Sequence, residues 1–166
     1  MKVTAKQLNS RNCVICGMEN PYGLKAPFYN MEDNSVQSVF SFEFNHQSYP
    51  ERVHGGLISA MLDEIMGRAL WVEELGNYAV TTSMEVIYRK PVPYGKKLLA
   101  KGVILHNSRL GFSAAGYIYD GDGNLLAESK GKYLKLPTDK ISSSAKVEEE
   151  MCYDIKDGVT EINFPL

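Results

Sequence analysis

The sequence has no long apolar run, no excess of basic residues and too few cysteines for a disulfide framework. No stretch approaches the ~20 apolar residues that cross a bilayer, and residues 1–7 lack the apolar core of a secretion signal. The formal net charge is -2, so no basic field would attract a nucleic acid. The three cysteines suit a reducing compartment. These absences predict a cytoplasmic protein with neither a membrane nor a polynucleotide as partner.

The residues that are present are sufficient for one folded domain. With 166 residues and 44% apolar content, the chain can bury one sizeable core. Residues 1–35 are interrupted by glycine and proline and are predicted to form an N-terminal arm. Residues 36–136 form the predicted domain, and residues 137–166 are predicted to be a C-terminal extension.

The longest regular segment is residues 57–75, which contain no proline and carry apolar side chains around nearly the whole helical circumference. This pattern predicts a buried helix. Strands are predicted at residues 36–44, 78–89, 97–106, 110–120 and 125–136. The last four have short, turn-rich connections, which predict an antiparallel meander. Because a helix that is apolar on every side needs cover on several sides, we expect an α+β fold in which a sheet curls around it.

One stripe of this helix is made of small residues around a single acid. Gly56, Ala60, Asp63 and Gly67 follow one another at helical spacing, so either a neighbouring backbone or a ligand approaches closely there. The next residue, Glu64, has a cation four residues later and is predicted to pair with it or to face the surface. Asp63 is left without a local cation, although a buried carboxylate needs a partner.

The start of the helix, His54-Gly55-Gly56, has the outline of an oxyanion hole. Its backbone N–H groups are unpaired at the positive end of the helix dipole, and the absent side chains allow a ligand oxygen to come close. A carbonyl could be polarised by the Gly55 amide while Asp63 activates water or attacks as a nucleophile.

These segments resemble the hotdog-fold thioesterases. The residues that carry the resemblance are Val53-His54-Gly55-Gly56-Leu57, Asp63, Val80-Thr81 and Tyr88-Arg89-Lys90-Pro91-Val92-Pro93. More narrowly, they resemble the 4-hydroxybenzoyl-CoA and phenylacetate-pathway branch, over roughly residues 36–136. The resemblance implies a hotdog fold, with a curved antiparallel sheet wrapped around one long central helix. It also implies a homodimer or a dimer of dimers, an active site shared between subunits, and hydrolysis of an acyl-CoA without a cofactor other than the CoA of the substrate.

The resemblance also assigns roles to single residues. Asp63 matches the catalytic acid and Gly55 the oxyanion amide. Thr81 matches a hydroxyl residue that reaches in from the partner subunit, and His54 matches a histidine that is more often structural than a proton carrier. Where many relatives have an asparagine that positions water, this chain has Ser48.

The predicted substrate site extends beyond the reacting groups. The residues assigned to substrate or CoA binding are Gly56, Arg89, Lys90, Pro91 and Arg109. Met61, Met66, Trp71 and phenylalanines are predicted to line an acyl tunnel, which would favour an apolar or aromatic acyl group.

Two other functions stay open at this point. His46, followed by Pro50, faintly resembles the histidine of hotdog dehydratases and enoyl hydratases, and it is a candidate catalytic residue. A lone loop histidine is more often a hydrogen-bonded structural residue. The other alternative is a non-catalytic acyl-CoA-binding protein, but the first 35 residues lack the helices of a DNA-reading module.

Cys13 and Cys16 have the spacing of half a zinc site, but the sequence has no second pair at matching spacing. Only Cys152 or a distant histidine could complete it. The same segment resembles the lead-in of one hotdog subgroup, and we therefore expect a packing role and no metal site.

Overall fold

A computed structural model describes residues 1–143 and 146–166 of the chain. Ser144 and Ala145, in the predicted C-terminal extension, lie outside the described residues. In chain order the elements are β1 (Val3–Lys6), β2 (Tyr29–Met31), β3 (Val36–Phe40), β4 (Gln47–Tyr49), β5 (Arg52–Val53), α1 (Gly55–Glu73), β6 (Ala79–Tyr88), β7 (Leu98–Asn107), β8 (Gly111–Tyr119), β9 (Leu125–Lys135), α2 (Thr138–Ile141) and α3 (Val147–Glu150).

The architecture is a curved antiparallel sheet against one long helix, which confirms the predicted α+β class. Seven strands hydrogen-bond in the order β1-β2-β3-β7-β8-β9-β6, and every neighbouring pair is antiparallel. The helix α1 packs on β3 and on β6 to β9. The core lies between the helix and the sheet, as predicted from a helix that is apolar on nearly all sides.

The close approach of helix and sheet depends on two glycines. A Cβ atom on Gly102 of β7 would lie 2.3 Å from the carbonyl oxygen of Ile65, and one on Gly116 of β8 would lie 2.9 Å from Met66. Any side chain at these positions would push α1 off the sheet. The residues of α1 that face the sheet are buried, whereas the stripe with Asp63 and Gly67 is only half-buried.

The predicted meander is correct for β7, β8 and β9 but wrong for β6. Strand β6 lies at the edge of the sheet and pairs with β9, with Tyr88 opposite Ala127. The segment 89–97 is therefore a crossover and not a hairpin. Its two prolines lack the N–H groups that a continued ladder needs, and the segment is tied elsewhere: the Val53 amide donates to the carbonyl of Val92 at 2.9 Å.

Each predicted element has at least one boundary that differs by one to four residues, and two of these differences have a clear local cause. The helix begins at Gly55, two residues earlier than predicted, because His54 caps it: the Nδ1 atom of His54 accepts the Gly56 N–H at 3.0 Å. Strand β3 ends at Phe40, because the chain then turns into a short 3₁₀ segment, Phe44–His46.

Both ends of the chain lie on the outer part of this framework. Strands β1 and β2 extend the sheet beyond β3, and the C-terminal residues form bridges to the arm, between Lys2 and Glu161 and between Asn9 and Tyr153. Among the residues described, no helix combines the length and the apolar character needed to cross a membrane.

Candidate active site

Asp63 is held by two hydroxyl groups on one of its oxygens. Thr81 Oγ1 donates to Asp63 Oδ1 at 2.8 Å, and the Tyr133 hydroxyl donates to the same oxygen at 3.0 Å. Burial and the negative charge of Asp63 raise the pKa of Tyr133, so the phenol remains protonated and can only act as a donor to the carboxylate here. Within residues 1–143 and 146–166, no hydrogen bond to Asp63 Oδ2 is found. This second oxygen is the one available for chemistry.

The structure changes the origin expected for Thr81 and adds Tyr133 as a second contact of Asp63. The resemblance implies that Thr81 reaches in from a partner subunit, but Thr81 contacts the Asp63 of its own chain, because β6 runs alongside α1. Tyr133 is not among the site residues predicted from the sequence. Its only signal is its position in β9, where every second residue from Ala127 to Tyr133 is buried and therefore faces the helix.

The start of α1 offers a single free amide. The Gly56 N–H is used by His54 Nδ1, whereas the Gly55 N–H has no acceptor among the described residues. The Gly55 carbonyl accepts a hydrogen bond from the Tyr88 hydroxyl at 3.0 Å, and Ser59 Oγ donates to the same carbonyl at 3.0 Å. The peptide group is thus held in place, with its N–H at the positive end of the helix dipole.

Gly55 and Asp63 do not meet within one chain. They are eight residues apart in α1, which corresponds to ~12 Å along the helix axis at 1.5 Å per residue. A single carbonyl group cannot contact both.

His46 occupies a structural position. Its Nδ1 accepts the Glu43 N–H at 2.8 Å, and its Nε2 lies 2.9 Å from the carbonyl oxygen of Tyr22, to which it must donate. The ring is buried and packs edge-on against Phe42. Because both nitrogens are engaged with backbone groups, neither is available to a substrate. The structure thus takes His46 out of the candidate site.

The predicted pairing of Glu64 is confirmed. Arg68 Nε donates to Glu64 Oε1 at 2.9 Å, and the arginine is buried with its guanidinium 4.6 Å from the ring centre of Phe28 and 5.1 Å from that of Trp71. The acid next to Asp63 is therefore tied to a buried cation.

The basic residues assigned to CoA lie at opposite ends of the sheet. Arg89 donates to Glu128 at 2.8 Å and Lys90 to Asn124 at 3.3 Å, both beyond the last residue of β6. Arg109 lies in the turn between β7 and β8, at the other end of β9, roughly 27 Å away at 3.3 Å per residue. One chain therefore does not bring Arg109 together with Arg89. Pro91 and Ser48 are exposed.

A cavity of about 200 Å³ lies beside Asp63. Its lining includes Gly67, Trp71, Tyr78, Thr81, Tyr133 and Met151. Of the residues predicted to line an acyl tunnel, Trp71 lines this cavity, whereas Met61 and Met66 are fully buried in the core between α1 and the sheet. Met61 lies on the opposite side of the helix from Asp63, whereas Met66, three residues after Asp63, packs beside it against Phe112 and Tyr133.

Comparison with known proteins agrees with this framework. A model of the thioesterase superfamily matches residues 51–127, which include α1 and β6 to β8. Acyl-coenzyme A thioesterase 13 of Mus musculus is 27% identical over 89 residues, covering 53% of this chain and 64% of the mouse protein. Over these residues the chain is similar to the thioesterase superfamily.

Solved structures show the same fold. A thioesterase superfamily protein superimposes with a TM-score of 0.69 at 24% identity, covering 75% of this chain and 60% of that protein. A Bacillus halodurans protein solved with CoA superimposes with a TM-score of 0.62 at 23% identity, covering 72% of this chain and 82% of its own. This chain spans less than two thirds of the length of the mouse relative and of the first of these structures.

Proposed function

We propose that this protein is an acyl-CoA thioesterase, which hydrolyses a thioester to a free acid and CoA. The observation that carries the proposal is the geometry at Asp63: two hydroxyls hold Oδ1, and Oδ2 has no hydrogen-bond donor among the described residues. The mouse relative is named as an acyl-CoA thioesterase, and the Bacillus halodurans structure contains CoA. Both support an acyl-CoA as the ligand.

In the proposed reaction, the Gly55 N–H donates to the thioester carbonyl oxygen and stabilises the negative charge that develops there. Asp63 Oδ2 takes a proton from water as the water oxygen attacks the carbonyl carbon. The carbon–sulfur bond then breaks, and the proton passes to the CoA sulfur. In the second possible route, Oδ2 itself attacks the carbonyl carbon, the carbon–sulfur bond breaks and the CoA thiolate leaves and takes up a proton. Water then hydrolyses the resulting anhydride at the carboxyl carbon of Asp63. Single turnover in ¹⁸O-labelled water separates them, because only the second route leaves label in Asp63.

We further propose that each site is formed by two copies of the chain. The ~12 Å along α1 between Gly55 and Asp63 supports this arrangement, as does the edge of β6, whose second side has no partner strand among the described residues. Antiparallel pairing of two β6 edges around a two-fold axis brings the end of one strand, near Gly55, beside the start of the other, near Asp63. The same symmetry brings Arg109 of one copy towards Arg89 of the other.

The cavity beside Asp63 supports a compact acyl group with aromatic or apolar character. Trp71, Tyr78 and Tyr133 contribute ring surfaces, and Gly67 leaves room between them. We expect a short aromatic acyl-CoA to be hydrolysed faster than a long saturated one.

The first experiment is a thiol-release assay of the wild-type protein over acetyl-, phenylacetyl-, benzoyl- and palmitoyl-CoA. Release of CoA thiol from at least one substrate is expected. If no substrate releases thiol while an enoyl-CoA is hydrated, the thioesterase proposal is wrong and the dehydratase alternative replaces it. If CoA esters bind and neither reaction occurs, the non-catalytic alternative replaces it.

The shared site has its own test, because Gly55 is the first residue of α1. Proline is tolerated at this helix position and lacks the N–H, so Gly55→Pro removes the proposed donor with little disturbance of the helix. Its matched control is Gly55→Ala, which keeps the N–H and adds a Cβ at an ordinary contact distance of 3.4 Å from the Tyr88 hydroxyl.

Co-expression then tests complementation. Chains with Gly55→Pro and chains with Asp63→Asn are each expected to be inactive alone. In a mixed dimer, the intact Gly55 of one chain meets the intact Asp63 of the other. Random assembly therefore restores about a quarter of wild-type activity, since half of the dimers are mixed and each has one intact site. No recovery despite mixed dimers on native mass spectrometry would mean that the site lies within one chain.

A further inference from the structure

A cluster of two thiols and one carboxylate lies outside the candidate active site. Cys13 and Cys16 come from the N-terminal arm, and Glu64 comes from the middle of α1. The three ligand atoms all lie within 4.8 Å of one another, and Cys13 Sγ is 3.7 Å from Glu64 Oε2. Cys13 and Cys16 form only half of a metal site in the sequence. The fold adds Glu64 as a third ligand, from a segment about fifty residues away.

The turn that carries the two cysteines is shaped to bring the thiols together. The Gly17 N–H closes it by donating to the Cys13 carbonyl at 2.8 Å, and a Cβ on Gly17 would lie 2.3 Å from that oxygen, so only glycine fits. The Ile15 N–H lies 3.3 Å from Cys13 Sγ and donates to it. A backbone donor to sulfur favours the thiolate, which is the form that binds metals.

The carboxylate is oriented by a second residue. Arg68 Nε holds Glu64 Oε1 at 2.9 Å, which leaves Oε2 turned towards Cys13. A hydrogen-bonded partner of this kind is what fixes a ligating carboxylate in metal sites. Ser10 lies beside both cysteines: its Oγ accepts a hydrogen bond from the Cys13 N–H at 3.1 Å and lies 3.2 Å from Cys16 Sγ.

The charges of the cluster also favour a cation. Cys16 is buried and Cys13 is half-buried, so two thiolates beside the carboxylate would carry a charge of about -3 against the single positive charge of Arg68. A bound divalent cation would offset most of this negative charge.

We propose that Cys13, Cys16 and Glu64 bind a divalent cation of the zinc class, with water in the fourth tetrahedral position. Zinc–sulfur distances of about 2.3 Å and zinc–oxygen distances of about 2.1 Å require sulfur and oxygen ligands to lie roughly 3.5 Å apart. The 3.7 Å between Cys13 Sγ and Glu64 Oε2 is close to this value. Two thiolates favour zinc over magnesium or calcium, which prefer oxygen ligands.

The site would join the N-terminal arm to α1 at the residue next to Asp63. Metal binding stabilises the folded chain because the ligands converge only when the arm is packed on the helix. This inference is independent of the proposed hydrolysis, since none of the three ligands contacts Asp63 Oδ2 or the Gly55 amide among the described residues.

The test uses the full chain without an affinity tag, purified under reducing conditions, stripped with a chelator and titrated with Zn²⁺ and with Co²⁺. We expect one metal ion per chain and, with Co²⁺, a thiolate-to-metal charge-transfer absorption band. Cys13→Ser and Cys16→Ser should each abolish the band, and Glu64→Gln should weaken Zn²⁺ binding by at least about tenfold. Cys152→Ser is the matched control, because Cys152 is exposed and lies outside the cluster.

The wild-type protein alone can overturn the proposal, whatever the variants do to folding. Absence of the cobalt band and of stoichiometric zinc from the reduced, folded wild type would do so. A Cys13–Cys16 disulfide by mass spectrometry, in a protein whose reduced form binds no metal, would replace the metal site with a redox pair. Binding retained in both cysteine variants, or lost in Cys152→Ser, would assign the metal to other residues.

Discussion

Asp63 and Glu64 are neighbours in α1, yet the two sides of the helix that they face are chemically different. Successive residues of a helix point about 100° apart. Asp63 points to β6 and β9, where two neutral hydroxyls hold one of its oxygens and leave the other free. Glu64 points to the N-terminal arm, where Arg68 holds one oxygen and Cys13 lies beside the other.

The comparison shows that the donors, and not the acid itself, decide what a carboxylate can do. Hydroxyls orient Asp63 without pairing it with a cation, and its Oδ2 has no donor among the described residues. A buried guanidinium instead binds Glu64 in an ion pair, and its second oxygen faces thiols. We expect the first side of the helix to control hydrolysis and the second to control stability and metal binding.

The largest effect on activity should come from removing the charge of Asp63, on the side of α1 that faces the hydroxyls of Thr81 and Tyr133. Asp63→Asn keeps the shape and the hydrogen bonds to Oδ1 but removes the base. The turnover number for thiol release should therefore fall by about 10² to 10⁴-fold. The matched control is Asp122→Asn, in an exposed turn, which should leave the rate unchanged. Full activity in Asp63→Asn would remove this residue from the mechanism.

The next largest effect should be on stability, from the arm-facing side. Arg68→Met leaves the half-buried Glu64 without its cation and removes the buried partner of the pair, and it should lower the free energy of unfolding by about 3–5 kcal/mol, measured by urea denaturation. Lys146→Met removes one partner of a highly exposed ion pair and should cost less than about 1 kcal/mol. Equal losses of unfolding free energy in the two variants would show that burial of the Arg68–Glu64 pair does not contribute to stability.

A smaller effect is expected from each hydroxyl donor to Asp63. Tyr133→Phe keeps the ring stacked on Phe112 at 4.6 Å and removes only the hydroxyl. A hydrogen bond to a charged group contributes about 1.5–3 kcal/mol, so the turnover number should fall roughly tenfold to a hundredfold, with little change in KM. Tyr117→Phe is the control, because no hydrogen bond to its hydroxyl is found among the described residues.

Thr81→Val provides the second half of a double-mutant cycle. Thr81 and Tyr133 donate to the same oxygen, so the increases in activation free energy from the two substitutions should not add. The coupling free energy between the two substitutions should be at least about 0.5 kcal/mol. Strict additivity in the assayed rates would contradict the shared orientation of Asp63.

The smallest effect concerns Glu74, at the end of α1, whose two oxygens are both held. Hydrogen bonds from Lys135, Asn77 and Asn107 lower the pKa of Glu74 from 4.5 to about 2. A depressed pKa means that the stabilisation is complete above the unfolded pKa and is lost as the pH falls from about 4.5 towards 2. The stability difference between wild type and Glu74→Gln should therefore be present at pH 7 and disappear in that window. It should also shrink with salt, since the pair is partly exposed. A difference that is independent of pH would contradict this account.

The central helix and its local contacts were predictable from the sequence. An apolar circumference predicted burial of α1, and the spacing of Glu64 and Arg68 predicted their ion pair, because both depend on residues within one or two turns. The same local geometry exposes the amide at the helix start. The alternation of small and charged residues along β9 also predicts that Tyr133 lies on the buried face of the strand. It does not identify the hydrogen-bond partner of Tyr133.

Contacts between distant segments were decided only by the tertiary structure. Periodicity tells which face of an element is buried, but it does not tell which element covers that face. The pairing of β6 with β9, which brings Thr81 and Tyr133 to one oxygen of Asp63, is of this kind. So is the approach of the arm, which brings Cys13 to Glu64. By itself, therefore, the sequence determined a buried helix with two adjacent acids and an open amide at its start. The packing of strands and arm around that helix decided which hydroxyls hold Asp63 and which groups lie beside the second oxygen of Glu64.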